Sequence, residues 1–489
     1  MIEALLQLPP ELPSKEAVKK RTVRQPDLST LTKMQEQAAR ELFDYLLGKT
    51  DKDMYLLEGY AGTGKTYTIS TVVEMFLTSV KFSEVAVTAP VNKAVKILRN
   101  TAQYTDTRLS YLTVHSLLGL KPKVSYNGEI EYVEDTYNEP KITGMNVLIL
   151  DEVSMLNDEL FGKIYDYVAD GSLKVIFVGD PAQIPPVKSK GHRSGADSIP
   201  LTVAGQETYN IGVVRLTEII RQAGDSPIIT LATDLRNNLL NRKPIVHDFE
   251  ALQPNGAGIK FLSITDNKSE LRQIVNMWFT SQHFENSADF AKIVAWRNDT
   301  VDKFNSIVRN MRYGKEAGSI CVGEKLLADQ PIIDADDFEK RMLFTVNDEF
   351  IVESFEIKER EVKGVALKYY WATVFYDDGA KQFREKIRIL HEDSFQQYAE
   401  MLATMLEIAK AKTKEGKGLT YWKEFYSFQE NFAVVKYNYA ITAHKSQGST
   451  YRNVLVVESD IDANSNLRER NRIKYTAVTR PSTTLLVIN

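Results

Sequence analysis

The sequence predicts an α/β protein built on two cores, each with a parallel β-sheet. Three observations support this prediction: the length of the chain, short apolar runs that alternate with helical stretches, and a change of pattern late in the chain. The chain has 489 residues, enough for about three domains. Continuous apolar runs separated by helices are typical of parallel strands that are buried on both faces.

The first core is predicted at 31–225 and begins with a helix. Thr32–Leu47 repeats apolar residues every three or four positions, which is the spacing of an amphipathic helix. Four short apolar runs follow, each ending in a polar or glycine-rich turn: Met54–Leu57, Val85–Ala89, Val147–Leu150 and Val175–Val178. Residues 1–30 contain four prolines and are predicted to form an extended lead-in.

A second core is predicted at 226–330 and 431–489, interrupted by an insertion at 331–430. The insertion contains stretches in which apolar and polar residues alternate, a pattern typical of antiparallel strands, followed by two helical stretches. A smaller insertion at 121–141 carries Asn127-Gly128, a strong signal for a β-hairpin. The apolar runs of the second core are Lys292–Trp296, Val434–Tyr439, Val454–Val457 and Thr484–Ile488.

The composition excludes several classes of protein. Lys+Arg is 61 and Asp+Glu is 65, a net charge of -4, so any nucleic-acid binding must use local positive surface. The single cysteine, Cys321, excludes an intramolecular disulfide and favours a reducing cytosol. No apolar run approaches the roughly 18 residues of a membrane span, and the N-terminus lacks the features of a signal peptide. We therefore expect a cytoplasmic protein.

The strongest local motif is GYAGTGKT at 59–66, between an apolar run and a predicted helix. It matches the phosphate-loop pattern, in which backbone N–H groups and a helix N-terminus surround phosphate oxygens. Lys65 is predicted to reach the β- and γ-phosphates of ATP, and the Thr66 hydroxyl to bind Mg²⁺. The residues predicted to bind the nucleotide here are Gly59, Ala61, Gly62, Thr63, Gly64, Lys65, Thr66 and Tyr67.

Two carboxylates follow the apolar run that ends at Leu150. We expect Asp151 and Glu152 at the carboxyl edge of the sheet, where Asp151 would hold Mg²⁺ and Glu152 would act as the base toward the attacking water. For an isolated Asp-Glu pair, a charge pair at a helix N-terminus would be the simpler interpretation. The next apolar run leads into GDPAQIPPV at 179–187, where Gln183 is the candidate sensor of the γ-phosphate.

The order of these motifs resembles that of the superfamily 1 helicases. The string TAHKSQG-x-T, within motif V, resembles the RecD-like and Dda-like branch, whose members move 5′→3′. The resemblance covers 28–489. Segments similar to the phosphate loop, motif Ia, motif II and motif III are Glu58–Thr66, Thr88–Lys93, Asp151–Met155 and Gly179–Val187. Segments similar to motif IV, the next core motif, motif V and motif VI are Leu216–Gln222, Trp296–Asn298, Tyr439–Thr450 and Tyr475–Arg480.

The resemblance implies two RecA-like cores, a β-hairpin inserted in the first, and an SH3-like β-barrel with a helical tower inserted in the second. It implies an ATP- and Mg²⁺-dependent 5′→3′ DNA helicase that translocates on single-stranded DNA and separates duplex strands. Its partners would be single-stranded and fork DNA, with single-strand-binding or replisome proteins as further candidates. The chain would act as a monomer, in the host cytoplasm if it is viral.

The resemblance also assigns roles to individual residues. Gln35 would read the adenine edge, and Arg221 and Arg480 would act as arginine fingers, because a guanidinium can neutralise charge on the γ-phosphoryl oxygens. Either arginine alone would more simply form a solvated or structural ion pair. The implied contacts to the DNA strand are Thr88, Pro90, Asn92, Lys93, Thr113, His115, Trp296, Thr442, His444 and Lys445.

The hairpin at 121–141 occupies the position where this branch carries its strand-separating element. Tyr126, Tyr132 and Tyr137 are the candidates to stack on the first base pair, although tyrosines on a sheet surface are a simpler interpretation.

Two other functions remain open at this point. The first is an enzyme that acts on RNA, because viral superfamily 1 RNA helicases share the phosphate loop and the arginines. The second is a nucleotide-gated remodelling protein that does not separate strands. A GTP switch is disfavoured, because nothing in the sequence resembles a guanine-reading motif.

Overall fold

The computed structural model is a mixed α/β protein with two parallel-sheet cores. It describes residues 28–102, 104–124, 130–135, 138–186, 196–220, 226–239, 251–253, 256–334, 336–337, 341–377, 379 and 381–489. The strands of the first half are β1 (Met54–Gly59), β2 (Val85–Ala89), β3 (Leu109–Thr113), β4 (Leu120–Val124), β5 (Ile130–Glu134), β6 (Val147–Leu150), β7 (Lys174–Gly179) and β8 (Ile211–Leu216). The remaining strands are β9 (Ala251–Leu252), β10 (Gly258–Leu262), β11 (Ala291–Ala295), β12 (Lys325–Ala328), β13 (Ile332–Ile333), β14 (Met342–Phe344), β15 (Glu349–Val362), β16 (Val365–Asp377), β17 (Gln382–Leu390), β18 (Val435–Tyr437), β19 (Ala440–Thr442), β20 (Tyr451–Val457) and β21 (Pro481–Ile488).

The helices cover both cores and form a pair beside the antiparallel sheet. Within the described residues, no helix combines the length and apolarity needed to cross a bilayer. The helices are α1 (Lys33–Leu46), α2 (Lys65–Ser79), α3 (Asn92–Thr101), α4 (Val114–Leu117), α5 (Asp158–Ala169), α6 (Val203–Thr208), α7 (Pro227–Asn237), α8 (Lys268–Thr280), α9 (Gln282–Asn286), α10 (Asn298–Tyr313), α11 (Phe395–Lys414), α12 (Gly418–Gln429), α13 (Glu458–Asp462) and α14 (Leu467–Val478).

The first core is a six-stranded parallel sheet in the order β3-β2-β6-β7-β1-β8. Helices α1, α2 and α3 bury apolar side chains against one face, and α5 covers the other face. The strands predicted from the four apolar runs are all present. Two more strands, β3 and β8, lie at the edges of the sheet, where partial exposure makes their sequences less apolar.

The second core is a six-stranded sheet in the order β19-β11-β20-β21-β10-β9, parallel except for the short edge strand β9. The predicted strand Val434–Tyr439 of this core is wrong. Val435–Tyr437 instead pairs with Lys325–Ala328 in another sheet, and only Ala440–Thr442 enters the second core. The chain passes from one sheet to the other at Asn438, and the apolar run gives no sign of this change. Asn438 is fully buried, and its carbonyl and side-chain oxygens accept hydrogen bonds from Lys292.

The large insertion contains a five-stranded antiparallel sheet in the order β17-β16-β15-β12-β18. Its strands lie between Lys325 and Tyr437, slightly beyond the predicted limits of 331 and 430. Helices α11 and α12 pack against each other and against this sheet through Tyr398, Phe428 and Phe432. Closure of the sheet into an SH3-like barrel remains a prediction.

The small insertion forms an antiparallel pair of strands, in which Leu120 is opposite Glu134 and Val124 is opposite Ile130. The tip with Tyr126, and Tyr137 beyond the second strand, lie outside the described residues.

Candidate nucleotide and nucleic-acid sites

The phosphate loop connects β1 to α2 at the carboxyl edge of the first sheet, where open α/β sheets bind ligands. Gly62 and Gly64 have φ angles of +84° and +79°, in the left-handed region that favours glycine. A side chain at Gly64 would also overlap the amide group of Gln35. The conformation of the loop therefore depends on glycine at the positions where the motif requires it.

The Lys65 ammonium is bound to its own loop. It donates hydrogen bonds to the carbonyl oxygens of Gly59 (2.7 Å) and Tyr60 (3.1 Å). Thr66, in the first turn of α2, is exposed at the same place. Neutral carbonyl oxygens are weaker partners for an ammonium than phosphate oxygens, so this arrangement fits a phosphate ligand that would replace them.

Gln35 lies on α1 and reaches the phosphate loop from the side. Its Nε2 donates to the carbonyl of Thr63 (3.2 Å), and its Oε1 accepts from the backbone N–H of Thr32 (3.1 Å). The Gln35 side chain therefore caps the N-terminus of α1 and holds the phosphate loop through Thr63. Its role toward adenine remains a prediction. Tyr67 lies nearby and donates to the hydroxyl of Thr30 (2.6 Å).

Asp151 and Glu152 follow β6 directly and face the phosphate loop. Glu152 has a φ angle of +54°, unusual for a residue with a side chain. Burial, and then the neighbouring Asp151, raise the pKa of Glu152 to about 7, while Arg480 and Lys65 oppose the shift. Burial also raises the pKa of Asp151, against the influence of Lys65. The structure thus gathers charged groups of both cores around one point.

The oxygen donors at this point suit Mg²⁺. Thr66 offers a hydroxyl and Asp151 a carboxylate, and Mg²⁺ is commonly held by one or two protein oxygens together with substrate phosphates. Within the described residues, no three His, Cys, Asp or Glu side chains form a metal cluster.

Gln183 lies in the turn that follows β7 of the first core, and Arg480 of the second core lies close enough to Glu152 to lower its pKa. Gln183 is buried, and its Oε1 has no hydrogen-bond partner within the described residues. Arg480, beyond the end of α14, donates to the carbonyl oxygens of Thr476 (2.9 Å) and Ser449 (3.2 Å). Arg221 lies outside the described residues.

Several contacts that the sequence did not reveal join the cores here. Gln447 Nε2 donates to the Ile184 carbonyl (2.9 Å), and the Ile184 N–H donates to the Thr476 hydroxyl (3.3 Å). Tyr475 contacts the phosphate loop and Asp180. The only sequence signal for Tyr475 was its place in the segment similar to motif VI.

A cleft of about 320 Å³ lies between both cores and the large insertion. It collects side chains from motif Ia, the hairpin and motif V. Of the residues predicted to contact DNA, those that line it are Pro90, Asn92, Lys93, His115, His444 and Lys445; Tyr132 lines it too.

Four other predicted DNA contacts do not line this cleft. Thr88 is fully buried in the sheet, where its hydroxyl donates to the Ile149 carbonyl (3.1 Å), so it presents no surface to a strand. Thr113 caps α4, and the hydroxyl of Thr442 accepts the N–H of Lys445 (3.2 Å). Trp296 packs against the apolar core of the second sheet.

The polar groups of the cleft are engaged within the protein. Lys445 pairs with Asp329 (3.0 Å), and Lys93 pairs with Asp289 (2.6 Å) and Glu349 (2.9 Å). Asn92 donates to the Asp348 carboxylate of the insertion (2.8 Å). Motif Ia therefore connects the first core to the second core and to the insertion.

Two aromatic rings form a stacked pair in the cleft. The His115 ring lies 3.7 Å from the Tyr132 ring, with 20° between their planes. Burial lowers the pKa of His115 to about 4, so this imidazole is neutral at ordinary pH. Burial also lowers the pKa of His444. These histidines therefore offer rings and neutral hydrogen-bonding groups rather than charge.

The fold and these sites define a P-loop nucleoside triphosphatase with two parallel-sheet cores. Residues 30–256 match the family described as AAA domain, and residues 437–488 match the UvrD-like helicase C-terminal domain. The chain is similar to the superfamily 1 helicases, in the branch that contains the Dda and RecD enzymes.

Relatives span nearly the whole chain. The ATP-dependent DNA helicase dda of Enterobacteria phage T4 is 28% identical, covering 88% of this chain and 93% of its own. An uncharacterized protein, R530 of Acanthamoeba polyphaga mimivirus, is 25% identical, covering 92% and 97%. Among solved structures, the Pif1 helicase from Candida albicans shows 17% identity, 94% coverage of each chain and a TM-score of 0.49. The similarity to the superfamily 1 helicases rests on the motifs and the sequence relatives.

Proposed function

We propose that the chain moves 5′→3′ along single-stranded DNA and separates duplex strands by hydrolysing ATP. The enzyme class, an ATP-dependent DNA helicase, follows from the phosphate loop, the paired carboxylates and the relatives. The proposal adds direction, translocation and a strand-separating hairpin. The observation that carries it is that residues of motif Ia, the hairpin and motif V line the same cleft, beside the nucleotide site.

The nucleotide site supports hydrolysis. Lys65 would exchange the carbonyls of its loop for phosphate oxygens, and Thr66 with Asp151 would hold Mg²⁺, which supplies charge neutralisation at the phosphates. Glu152 would orient and deprotonate the attacking water. Its raised pKa suits a base that works near neutral pH. Arg480, and Arg221 from motif IV, would stabilise the charge that develops on the γ-phosphoryl group.

The cleft supports binding of a single strand. Lysines and amides suit backbone phosphates, whereas a stacked pair of rings offers a surface to an unpaired base. Lys93, Lys445 and Asn92 supply the first kind of group, and His115 with Tyr132 supplies the second. Tyr132 lies on the second strand of the antiparallel pair β4 and β5, at the edge of the cleft, which suits an element that opens the duplex.

The motif V loop links the two sites. His444 and Lys445 line the cleft, while Gln447 bonds the turn that carries Gln183. A Cβ atom at Gly448 would lie 2.8 Å from Cβ of Ala94 and at ordinary contact distance, 3.7 Å, from Cγ of Glu152. A bound DNA strand that displaces this loop would therefore shift the groups around the carboxylate of Glu152. This relationship supports coupling of DNA binding to hydrolysis.

The architecture proposed for this function has RecA-like cores and an SH3-like barrel with a tower made of α11 and α12. The antiparallel sheet and the packed helix pair support this assignment. Action as a monomer on single-stranded and fork DNA belongs to the same proposal.

A comparison of ATPase stimulation by oligodeoxythymidine and oligouridine of equal length tests the proposed substrate. We expect strong stimulation by the DNA, weak stimulation by the RNA, and no turnover by Lys65→Ala with either. Equal or stronger stimulation by RNA would indicate an RNA enzyme. Absence of stimulation by both would contradict translocation on a single strand.

A further inference from the structure

We propose that Tyr475, on the second core, is a positioning residue. Its hydroxyl holds the phosphate loop and the turn of Gln183, both on the first core, in a fixed position relative to each other. The inference rests on the proposed hydrolysis of ATP at this loop. It adds a residue that none of the assigned catalytic roles includes.

The Tyr475 hydroxyl makes two hydrogen bonds to the first core. The backbone N–H of Ala61, the third residue of the phosphate-loop motif, donates to it (3.3 Å). The hydroxyl itself donates to Oδ2 of Asp180 (2.7 Å), and Oδ1 of Asp180 accepts the Ala182 N–H (2.9 Å). One phenol from the second core thus connects the phosphate loop to the segment that leads into Gln183.

These groups are shielded from water, since Tyr475 and Asp180 are each 1% exposed. Burial, and then Asp180, raise the pKa of Tyr475 well above its ordinary value, so the phenol stays neutral at working pH. A neutral phenol has one proton to give, which goes to Asp180, and its oxygen is left to accept from Ala61. The direction of both hydrogen bonds is therefore fixed.

The position of Tyr475 on its helix connects it to the catalytic arginine. The adjacent Thr476 hydroxyl accepts the Ile184 N–H, and Arg480 follows at the end of the same segment. A movement of the second core would shift Tyr475 and Arg480 together. Because the N–H groups of the loop must point at phosphate oxygens, the phenol would align the loop in the same movement that brings the arginine into place.

The chain provides a matched control in Tyr45. Its hydroxyl also accepts one N–H, from Val175 (2.9 Å), and donates to one oxygen, the Asp53 carbonyl (2.9 Å). This pair of bonds lies at the amino edge of the first sheet, opposite the phosphate loop. Tyr45→Phe therefore removes a buried hydroxyl with an equivalent pair of hydrogen bonds from the first core without touching the nucleotide site.

The test compares full-length Tyr475→Phe and Tyr45→Phe for melting temperature, for ATP KM, and for kcat with and without oligodeoxythymidine. We expect similar losses of melting temperature. Only Tyr475→Phe should lower kcat, by about 10- to 100-fold with or without DNA, while KM changes less than about threefold, because alignment acts on turnover more than on ground-state binding. If kcat of the two variants agrees within about twofold, the contact is only structural and the proposal is wrong.

A second variant, Asp180→Ala, keeps the proposal testable if Tyr475→Phe folds poorly. It removes the acceptor of the phenol and should lower kcat in the same way, while KM changes less than about threefold. A kcat within about twofold of the wild type would overturn the proposal. Where both single variants fold, the double variant should lower kcat little below either one, and additive losses would also overturn the proposal. A wild-type ATPase that DNA does not stimulate would contradict the proposed translocation, whereas the kcat ratio of the variants without DNA would still decide the role of Tyr475.

Discussion

The ammonium of Lys445, a residue that lines the cleft assigned to single-stranded DNA, lies 3.0 Å from the Asp329 carboxylate. Lys445 belongs to motif V of the second core, and Asp329 directly follows β12 of the antiparallel sheet. Asp329 also lies 3.5 Å from Lys436. A DNA phosphate that binds Lys445 must therefore compete with a carboxylate of the same protein.

Asp329→Asn should tighten binding to single-stranded DNA by about three- to tenfold at low salt, because it removes this competing charge from the cleft. Fluorescence anisotropy with a labelled oligodeoxythymidine at several salt concentrations measures the effect. The control is Asp393→Asn, which breaks an exposed pair with Lys368 of the same length (3.0 Å), and neither partner lines the cleft. Unchanged or weaker DNA binding by Asp329→Asn would show that Lys445 does not contact phosphate.

Glu152→Gln should keep nucleotide binding and lower kcat by about 10³-fold or more. The amide preserves size and hydrogen bonding but cannot accept the proton of the attacking water. Nucleotide affinity and single-turnover hydrolysis measure the two effects separately. The control is Glu36→Gln on α1, where Glu36 forms an exposed pair with Arg40. Hydrolysis at a rate near that of the wild type would remove Glu152 from the catalytic role.

Arg480→Ala should lower kcat by about 10³-fold while ATP affinity changes less than about tenfold, because the guanidinium acts mainly on charge in the transition state. Arg480→Lys keeps the charge and should recover only part of the rate, since Lys lacks the planar fork. The control is Arg468→Ala, which breaks an ion pair between the start of α14 and Asp197 of the first core. Parallel losses in affinity and turnover would instead make Arg480 a phosphate-binding group of the ground state.

Tyr132→Ala should reduce duplex separation while preserving DNA-stimulated ATPase and movement along single strands. The substitution removes the ring that stacks on His115 at the cleft, and with it a surface for an unpaired base. Val133→Ala is the control, because neighbouring side chains on a strand point to opposite faces and Val133 does not line the cleft. If unwinding survives in Tyr132→Ala, another element separates the strands; if ATPase is lost too, the tyrosine is structural.

The parts of the molecule that the sequence predicted are those that local pattern determines. The phosphate loop needs glycine at φ angles of +84° and +79°, and Gly62 and Gly64 occupy those positions in the motif. Four strands of the first core are buried on both faces and therefore appear as apolar runs. The edge strand β3 is only partly buried throughout, so its mixed apolar and polar sequence gave no comparable signal.

The parts that the sequence could not predict depend on contacts between distant segments. The apolar run at Val434–Tyr439 looks like one strand, but pairing with β12 is decided by a segment about a hundred residues earlier. The bond between Tyr475 and Asp180 joins positions 295 residues apart. Thr88 shows the converse, since its place in motif Ia suggested a DNA contact. Both faces of its strand are covered, so the side chain is buried and its hydroxyl donates to the Ile149 carbonyl.

Displacement of a labelled strand from duplexes with a 5′ or a 3′ single-stranded tail is the most direct test of the central claim. We expect ATP-dependent separation of the 5′-tailed duplex and little separation of the 3′-tailed one. Lys65→Ala should neither hydrolyse ATP nor separate either duplex. Preferential separation of the 3′-tailed duplex, or ATP hydrolysis on tailed DNA without separation of either duplex, would contradict it.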